Sequence, residues 1–349
     1  MGVQLREIVE AKKIDLKDLA GRIIAFDGHN VLYQFISIIR GRYGEPLRDR
    51  EGRITSHLNG LIYRNSNLIE AGIRVAYVFD GRPPLLKAET LERRMESRRE
   101  ARERYERAVR EGRYEAARRY AQQAAVTTTT IVDEAKKLLT LMGIPWIQAP
   151  SEGEAQSAYM ALKGDVWAVA SQDFDSLLFG APRLIRNLSI TGRRKLPRKK
   201  LYIKIEPELI ELEAMLQHLG ITREQLIDIG ILVGTDYNPG GVKSIGPKRA
   251  LKLIREHGSL EEALKHIEAE FPISPEAIKR LFLDPEVTDD YRLEWRPPDV
   301  EGIVEFLCDE HDFNEERVRK AIRKMERGYK RSRETTTLER WFTPGGGGE

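Results

Sequence analysis

A chain of 349 residues exceeds one typical domain and can bury a sizeable core. With 41% hydrophobic and 32% charged residues it reads as a soluble globular protein, and no apolar run approaches the roughly 20 residues of a membrane span, so no membrane role is expected. Its one cysteine, Cys308, excludes disulfide frameworks and Cys-based zinc sites within a chain, and a net charge of +3 is too small to identify a nucleic-acid binder.

The first residues lack the charged-then-apolar pattern of a signal peptide, and an intracellular setting is expected. Heavy use of Arg and Glu with few Cys and Met fits heat adaptation. Along the chain, Ile23-Ile24-Ala25-Phe26 is a short apolar run that ends in Asp27, and Val75-Ala76-Tyr77-Val78-Phe79 ends in Asp80. From Glu92 to Arg119 there are eleven Arg and seven Glu, a local excess of four positive charges whose plainest reading is a solvated helix laced by i,i+4 pairs. Ala149-Pro150-Ser151-Glu152-Gly153-Glu154-Ala155 opens a further helix. Ser151 can cap it with Glu154 completing a capping box, and both Glu152 and Glu154 can still lie near the helix start.

A third apolar run, Val166 to Ala170, leads through Ser171-Gln172 to Asp173 and Asp175. Such runs, separated by helical segments, predict buried strands of a largely parallel sheet in an α/β fold. In open α/β sheets the ligand crevice lies beyond the carboxyl ends of the strands, so these carboxylates would converge there. One Asp after a strand is an ordinary turn residue, but three strand ends carrying four aspartates mark a candidate site.

From Arg193 to Lys204 there are seven basic residues and no acidic one, a basic hairpin or loop. A helical pattern from Leu226 to Val233 then stops at a Gly-rich turn carrying Asp236, and a second begins near Pro247, which suits the first helical position. Between them, Val242-Lys243-Ser244-Ile245-Gly246-Pro247-Lys248-Arg249-Ala250 has the look of a helix-hairpin-helix element. Gly246 would let the backbone approach a phosphate, the helix N-terminus offers free N–H groups, and Lys243, Lys248 and Arg249 add charge. An ordinary αα-turn is the alternative.

Taken together, five motifs resemble those of the flap endonucleases of archaeal type, within the structure-specific 5′ nucleases of the xeroderma pigmentosum group G type. They are Phe26-Asp27-Gly28-His29-Asn30-Val31-Leu32-Tyr33-Gln34-Phe35, Val78-Phe79-Asp80-Gly81-Arg82-Pro83-Pro84, Leu141 to Ala155, Ser171-Gln172-Asp173-Phe174-Asp175 and Gly234-Thr235-Asp236-Tyr237-Asn238. Order and spacing both fit, and the likeness runs from Met1 to the tail. Gly153 replaces the Ala usual between the two glutamates, a change expected to leave the carboxylates in place.

The resemblance implies a PIN-like 5′-nuclease core with a central, mainly parallel sheet flanked by helices, a helical arch and a helix-hairpin-helix-type element. It implies two divalent cations, normally Mg²⁺ with Mn²⁺ as a possible substitute, held by Asp27, Asp80, Glu152, Glu154, Asp173, Asp175 and Asp236. The first four are expected nearer one ion and the last three nearer the other. Crowded carboxylates repel unless cations neutralise them, and an all-oxygen set suits hard ions rather than zinc. Lys87 and Arg94, seven residues apart, are expected to share a helix face at the base of the arch and to act on the scissile phosphate. Tyr33 matches the position whose ring stacks on a base beside the cut, with a core tyrosine as the alternative.

The implied reaction is hydrolysis of branched DNA at the junction of a 5′ flap, with associated 5′-3′ exonuclease activity, in Okazaki-fragment processing and DNA repair. The alternatives are a related 5′ exonuclease or junction resolvase, and a non-catalytic DNA- or clamp-binding scaffold, which leaves the seven acids unexplained. The expected organisation is a monomeric core over 1–331, with an N-terminal nuclease region at 1–105 and an arch at 80–130. An internal region spans 131–258, including the hairpin element at 226–258, and a helical part spans 259–331. A flexible tail covers 332–349. In that tail Leu338, Trp341 and Phe342 fall on one side of a helical turn. The stretch 335–342 resembles the peptide with which flap endonucleases bind the sliding clamp, proliferating cell nuclear antigen, with Thr335 in place of the usual Gln. An archaeal cytoplasm, at DNA, is the expected location, with a nucleus as the alternative for a eukaryotic chain.

Overall fold

Three strands at the centre of the sheet are the short apolar runs that the sequence predicts. In the computed structural model the described residues are 2–41, 44–111, 113, 116, 120, 128–190, 192–195, 202–271 and 273–342, without the side chains of 85, 88–91, 93, 94, 109, 192–195, 202–204 and 333–342. The strands are β1 (Lys12–Lys13), β2 (Ile23–Asp27), β3 (Arg74–Phe79), β4 (Trp146–Gln148), β5 (Ala168–Ala170), β6 (Arg183–Arg186), β7 (Gly192–Lys195), β8 (Tyr202–Ile205) and β9 (Glu208–Glu211). Seven of them form one sheet in the order β1-β9-β6-β5-β2-β3-β4, and β7 pairs antiparallel with β8.

The five strands from β6 to β4 are parallel, while β9 and β1 run antiparallel on one edge. The chain leaves β2 towards β3 and β4, then returns to the other side of β2 for β5 and β6. The strand order therefore reverses between β2 and β5, the place where open α/β sheets form a binding crevice. Register fixes what meets there. Phe26 pairs with both Tyr77 and Ala170, so Asp27, Asp80 and the turn from Ser171 all emerge at one edge.

The two faces of the sheet are packed differently. Phe26, Tyr77 and Phe79 point to one side, where Phe26 and Tyr77 stack with ring centroids 5.3 Å apart. Helices Gly28–Ile38, Ser56–Glu70 and Thr129–Leu141 cover that side. The opposite side presents Ala25, Ala76 and Val78 to helix Gly153–Lys163, which contributes Ala155, Ala158 and Ala161. Small residues on both partners let this helix lie close against β2, β3 and β5. Helices Arg223–Val233 and Pro247–His257 extend the same apolar cluster.

The Arg-rich stretch forms helix Ala88–Arg110, and most of 112–127 lies outside the described residues. Within the basic stretch Arg193 to Lys204 the described residues belong to β7 and β8, which pair antiparallel, and 196–201 lie outside the described residues. The C-terminal helix runs unbroken from Glu315 to Phe342, passing in helical form the point at 332 where the sequence places a flexible tail. Among the described residues no helix is long and apolar enough to cross a membrane.

Candidate active site

Asp27 is the last residue of β2 and the N-cap of helix Gly28–Ile38, where its Oδ1 accepts the Asn30 N–H at 3.0 Å. Asp80 follows β3, and its Oδ1 accepts the Gly153 N–H at 2.7 Å. That bond displaces the capping box expected at Ser151 and Glu154. The helix starts at Gly153 with Glu152 in the cap position and no side-chain cap bond of its own. An anion from β3 already covers this helix start, where free N–H groups and the macrodipole favour it. A methyl group on Gly153 would stand 2.9 Å from Asp80 Oδ1, so glycine here leaves the Asp80 carboxylate room that the usual Ala would take.

Ser171 ties the centre of the cluster. Its Oγ stands 3.0 Å from Glu154 Oε1 and 3.4 Å from Asp27 Oδ2, donating to the nearer, and accepts the Asp173 N–H at 3.2 Å. Asn30 Nδ2 donates to Asp173 Oδ2 at 3.0 Å, and Asp175 accepts the Val3 N–H at 2.7 Å. Asp236 arrives on the turn after helix Arg223–Val233. Asn238 fixes that turn, accepting from Thr235 N and Oγ1 at 3.1 and 2.7 Å and donating to the Ile231 carbonyl at 2.7 Å. Gly234, at φ +110°, passes so near Gly241 that a Cβ would lie 2.6 Å from its nitrogen.

Lys87 joins the two ends of the cluster, with Nζ 2.7 Å from Glu152 Oε1 and 3.2 Å from Asp236 Oδ2. It thereby links an acid expected at one ion with an acid expected at the other. Lys87 ends the 3₁₀ turn Leu85–Lys87, directly before helix Ala88–Arg110, which carries Arg94. The side chain of Arg94 lies outside the described residues.

Burial, then Asp80, raises the Asp27 carboxyl well above its ordinary range. Burial, then Asp175 and Asp27, does the same to Glu154. Asp175 is pushed up to about 7 by burial and by Asp236 and Asp173. Burial also raises Glu152, with Lys87 offsetting part of the rise. The Lys87 ammonium would be lowered by its own burial, but Glu152 and Asp236 outweigh that and raise it.

Among the described residues no three His, Cys, Asp or Glu side chains already stand as a metal cage. Lys87, Asn30 and Ser171 partner the acids instead. The donor set itself fits hard divalent cations: all oxygen, without a thiolate, and with buried members driven toward protonation for want of positive charge.

The raised Asp175 carboxyl has a consequence for the metal-free protein. With a folded value of about 7 against an ordinary 3.8, the folded chain keeps this proton longer than the unfolded chain. Stability therefore falls as pH rises from about 4 to about 7 and levels off above. Asp175→Asn removes the charge and keeps an acceptor for Val3 N–H. In EDTA it is expected to raise the melting temperature by several degrees at pH 8 and by far less at pH 5. Calorimetry showing equal shifts at both pH values would contradict this assignment.

Three residues at the site were not singled out from the sequence. Asn30 and Ser171 hold acids as described, and His29 Nδ1 accepts the Asp80 N–H at 3.1 Å while lying 3.3 Å from Asp80 Oδ2. Asn30 stands three residues after an N-cap aspartate, a spacing that could have drawn attention to it. Tyr33 is 36% exposed rather than a core residue, and the Arg98 guanidinium carbon lies 5.9 Å from its ring centre. Lys243, Lys248 and Arg249 are exposed around Gly246, the N-cap of helix Pro247–His257, while Val242, Ile245 and Ala250 are buried beneath. The side chains of Leu338, Trp341 and Phe342 lie outside the described residues.

The XPG N-terminal domain model matches residues 1–101 and the XPG I-region model matches residues 143–236. Parallel sheet, acid crevice and these two matches define a nuclease. The flap endonuclease 1 of Staphylothermus marinus is 56% identical, over 98% of this chain and all of its own length. That of Pyrococcus horikoshii is also 56% identical, over 98% of both chains. The solved flap endonuclease-1 of Methanococcus jannaschii superposes with a TM-score of 0.75 at 47% identity, covering 94% of this chain and 98% of that one. The chain belongs to the flap endonuclease 1 family. The catalytic core of Rad2, solved with a DNA substrate, shares the fold at 24% identity and a TM-score of 0.71, over 93% of this chain and all of that one.

Proposed function

We propose that the crevice between β2 and β5 is where a 5′ flap is cut from duplex DNA, in replication and repair within the archaeal cytoplasm. The observation that carries this is the convergence of Asp27, Asp80, Glu152, Glu154, Asp173, Asp175 and Asp236 with Lys87 at the switch point of the sheet. Those seven acids would hold two divalent cations, Mg²⁺ or in its place Mn²⁺, which supply Lewis-acid activation of water and neutralise charge on the leaving 3′-oxygen. The Asp80 bond to Gly153 N–H holds one acid over a helix start, and Ser171 orients Glu154. Lys87 and Arg94 stabilise charge on the phosphoryl group. Tyr33 offers an exposed ring to a base beside the cut, and Lys243 and Gly246 with Lys248 and Arg249 in the first turn of the following helix anchor the duplex through phosphate contacts.

A labelled 5′-flap duplex, incubated with Mg²⁺ or EDTA and with its product ends mapped, tests this reading. Cleavage at the junction in Mg²⁺ alone supports it. Equal rates on flapped and unflapped ends favour a 5′ exonuclease instead.

The sliding clamp is the proposed partner of residues 335–342, acting on a monomeric enzyme. The backbone is helical through Phe342, so positions 338, 341 and 342 fall within one turn and on one side of it. Three apolar residues so placed suit a hydrophobic docking pocket. A peptide covering 334–344 is expected to bind the cognate clamp in a calorimeter. Absence of heat together with absence of competition would remove the clamp as a partner.

A further inference from the structure

Behind Asp173 lies a chain of side chains that the reaction as described does not use. Asn30 Nδ2 donates to Asp173 Oδ2 at 3.0 Å, Gln34 Nε2 donates to Asn30 Oδ1, and Ser189 Oγ donates to Gln34 Oε1 at 2.7 Å. Asn30 and Gln34 stand one turn apart on helix Gly28–Ile38, and Ser189 sits in the turn Leu188–Ile190. The Arg64 guanidinium fastens that turn, its Nε donating to the Leu188 carbonyl at 2.8 Å. Gln34 and Ser189 are buried, at 9% and 7% exposure, so neither exchanges its partner freely for water.

The carboxylate sets the direction of every bond. An ionised Asp173 only accepts, so Asn30 must turn its NH₂ group toward it. Asn30 then shows its carbonyl to Gln34, which must answer with its own NH₂ group. Gln34 in turn shows its carbonyl to Ser189, whose hydroxyl proton completes the series. With one end anchored by Arg64 on the turn and the other by a charge, neither amide has an equivalent flipped state. Asn30 also donates its backbone N–H to Asp27 Oδ1 at 3.0 Å, so one residue orients two acids.

We propose that Ser189, Gln34 and Asn30 form a one-way hydrogen-bond relay that presents Asp173 to a divalent cation. They are positioning residues: none is a ligand, and each acts through the next. This deepens the metal-site reading and rests on it. Holding Oδ2 fixes the direction in which the other carboxylate oxygen faces, so the orientation is set before the cation arrives.

Calorimetric titration of the DNA-free protein with Mn²⁺ tests the relay without using cleavage. Gln34→Met keeps the bulk of the side chain and breaks the series, removing the donor that holds the Asn30 carbonyl, so that Asn30 is tied only at its Asp173 end. It is expected to weaken Mn²⁺ binding about 10–100-fold. The Mg²⁺ concentration for half-maximal cleavage should rise by a similar factor, while the rate at saturating Mg²⁺ and the affinity for DNA stay near wild type. Ser189→Ala should shift Mn²⁺ binding in the same direction, and Ser189→Thr, which restores the hydroxyl, should return it. A lowered melting temperature with unchanged Mn²⁺ binding in Gln34→Met would overturn the relay and leave a structural role. Asp173→Asn separates the two levels. If it weakens Mn²⁺ binding while Gln34→Met and Ser189→Ala do not, the relay alone fails. If it too binds Mn²⁺ like wild type, the metal site itself fails.

Discussion

Asp80→Ala and Asp173→Ala are each expected to abolish cleavage of a flapped duplex, a loss on the order of 10³-fold or more, while DNA affinity holds or improves. Both carboxylates sit in a crevice crowded with like charge, so neither can attract a phosphate, and removing either one lessens repulsion. Their side effects should differ. Asp80 also satisfies the Gly153 N–H, so its loss uncaps a helix at a cost of about 1 kcal/mol. Asp173 instead accepts from Asn30, and its loss leaves that amide without its acceptor in the site. Single-turnover rates in Mg²⁺, read beside fluorescence anisotropy on the same substrate, give both quantities. Near-normal turnover in both variants would overturn the acid cluster as the seat of chemistry.

Lys87→Ala should slow single-turnover cleavage by about 10²–10³-fold with little change in affinity, because its ammonium acts on charge developing at the reacting phosphate. Arg94→Ala belongs to the same class. The buried position of Lys87 between Glu152 and Asp236 makes it a poor anchor for duplex DNA at a distance. Lys243→Ala and Lys248→Ala should do the reverse. Lys243 is exposed in the loop before helix Pro247–His257 and Lys248 in its first turn, and each substitution should weaken binding across sequences and reduce the salt slope by about one. Identical behaviour of the two pairs would dissolve the division between reacting-site and duplex-anchoring cations.

Much of this site could be read before folding because the chemistry sits at strand ends. Apolar runs that stop at Asp27, Asp80 and Asp173 declare both the strand and the crevice, and motif order supplied Glu152, Glu154 and Asp236. The two antiparallel strands, β1 and β9, could not be read this way. Lys12–Lys13 has no apolar alternation at all, and Glu208–Glu211 pairs antiparallel with β6 through backbone bonds that side-chain patterning does not announce. Spacing misled at Ser151, where a sound capping pattern lost to a carboxylate that follows a strand some seventy positions away. His29 and Ser171 act through partners distant in the chain, and local pattern carries no record of such pairs.

The thin side of the sheet ties catalysis to ordinary packing. Helix Gly153–Lys163 rests on β2, β3 and β5 through Ala155, Ala158 and Ala161 against Ala25, Ala76 and Val78, and its N-terminal end carries Glu152 and Glu154. The gap between those two acids and the ones on the strands is thus gauged by methyl groups, as a shim sets the clearance of a bearing. A lineage could retune the spacing of these carboxylates by exchanging alanine for glycine or valine well away from any of them. Drift in this family's chemistry should then be sought as much in the girth of that interlayer as in the acids themselves.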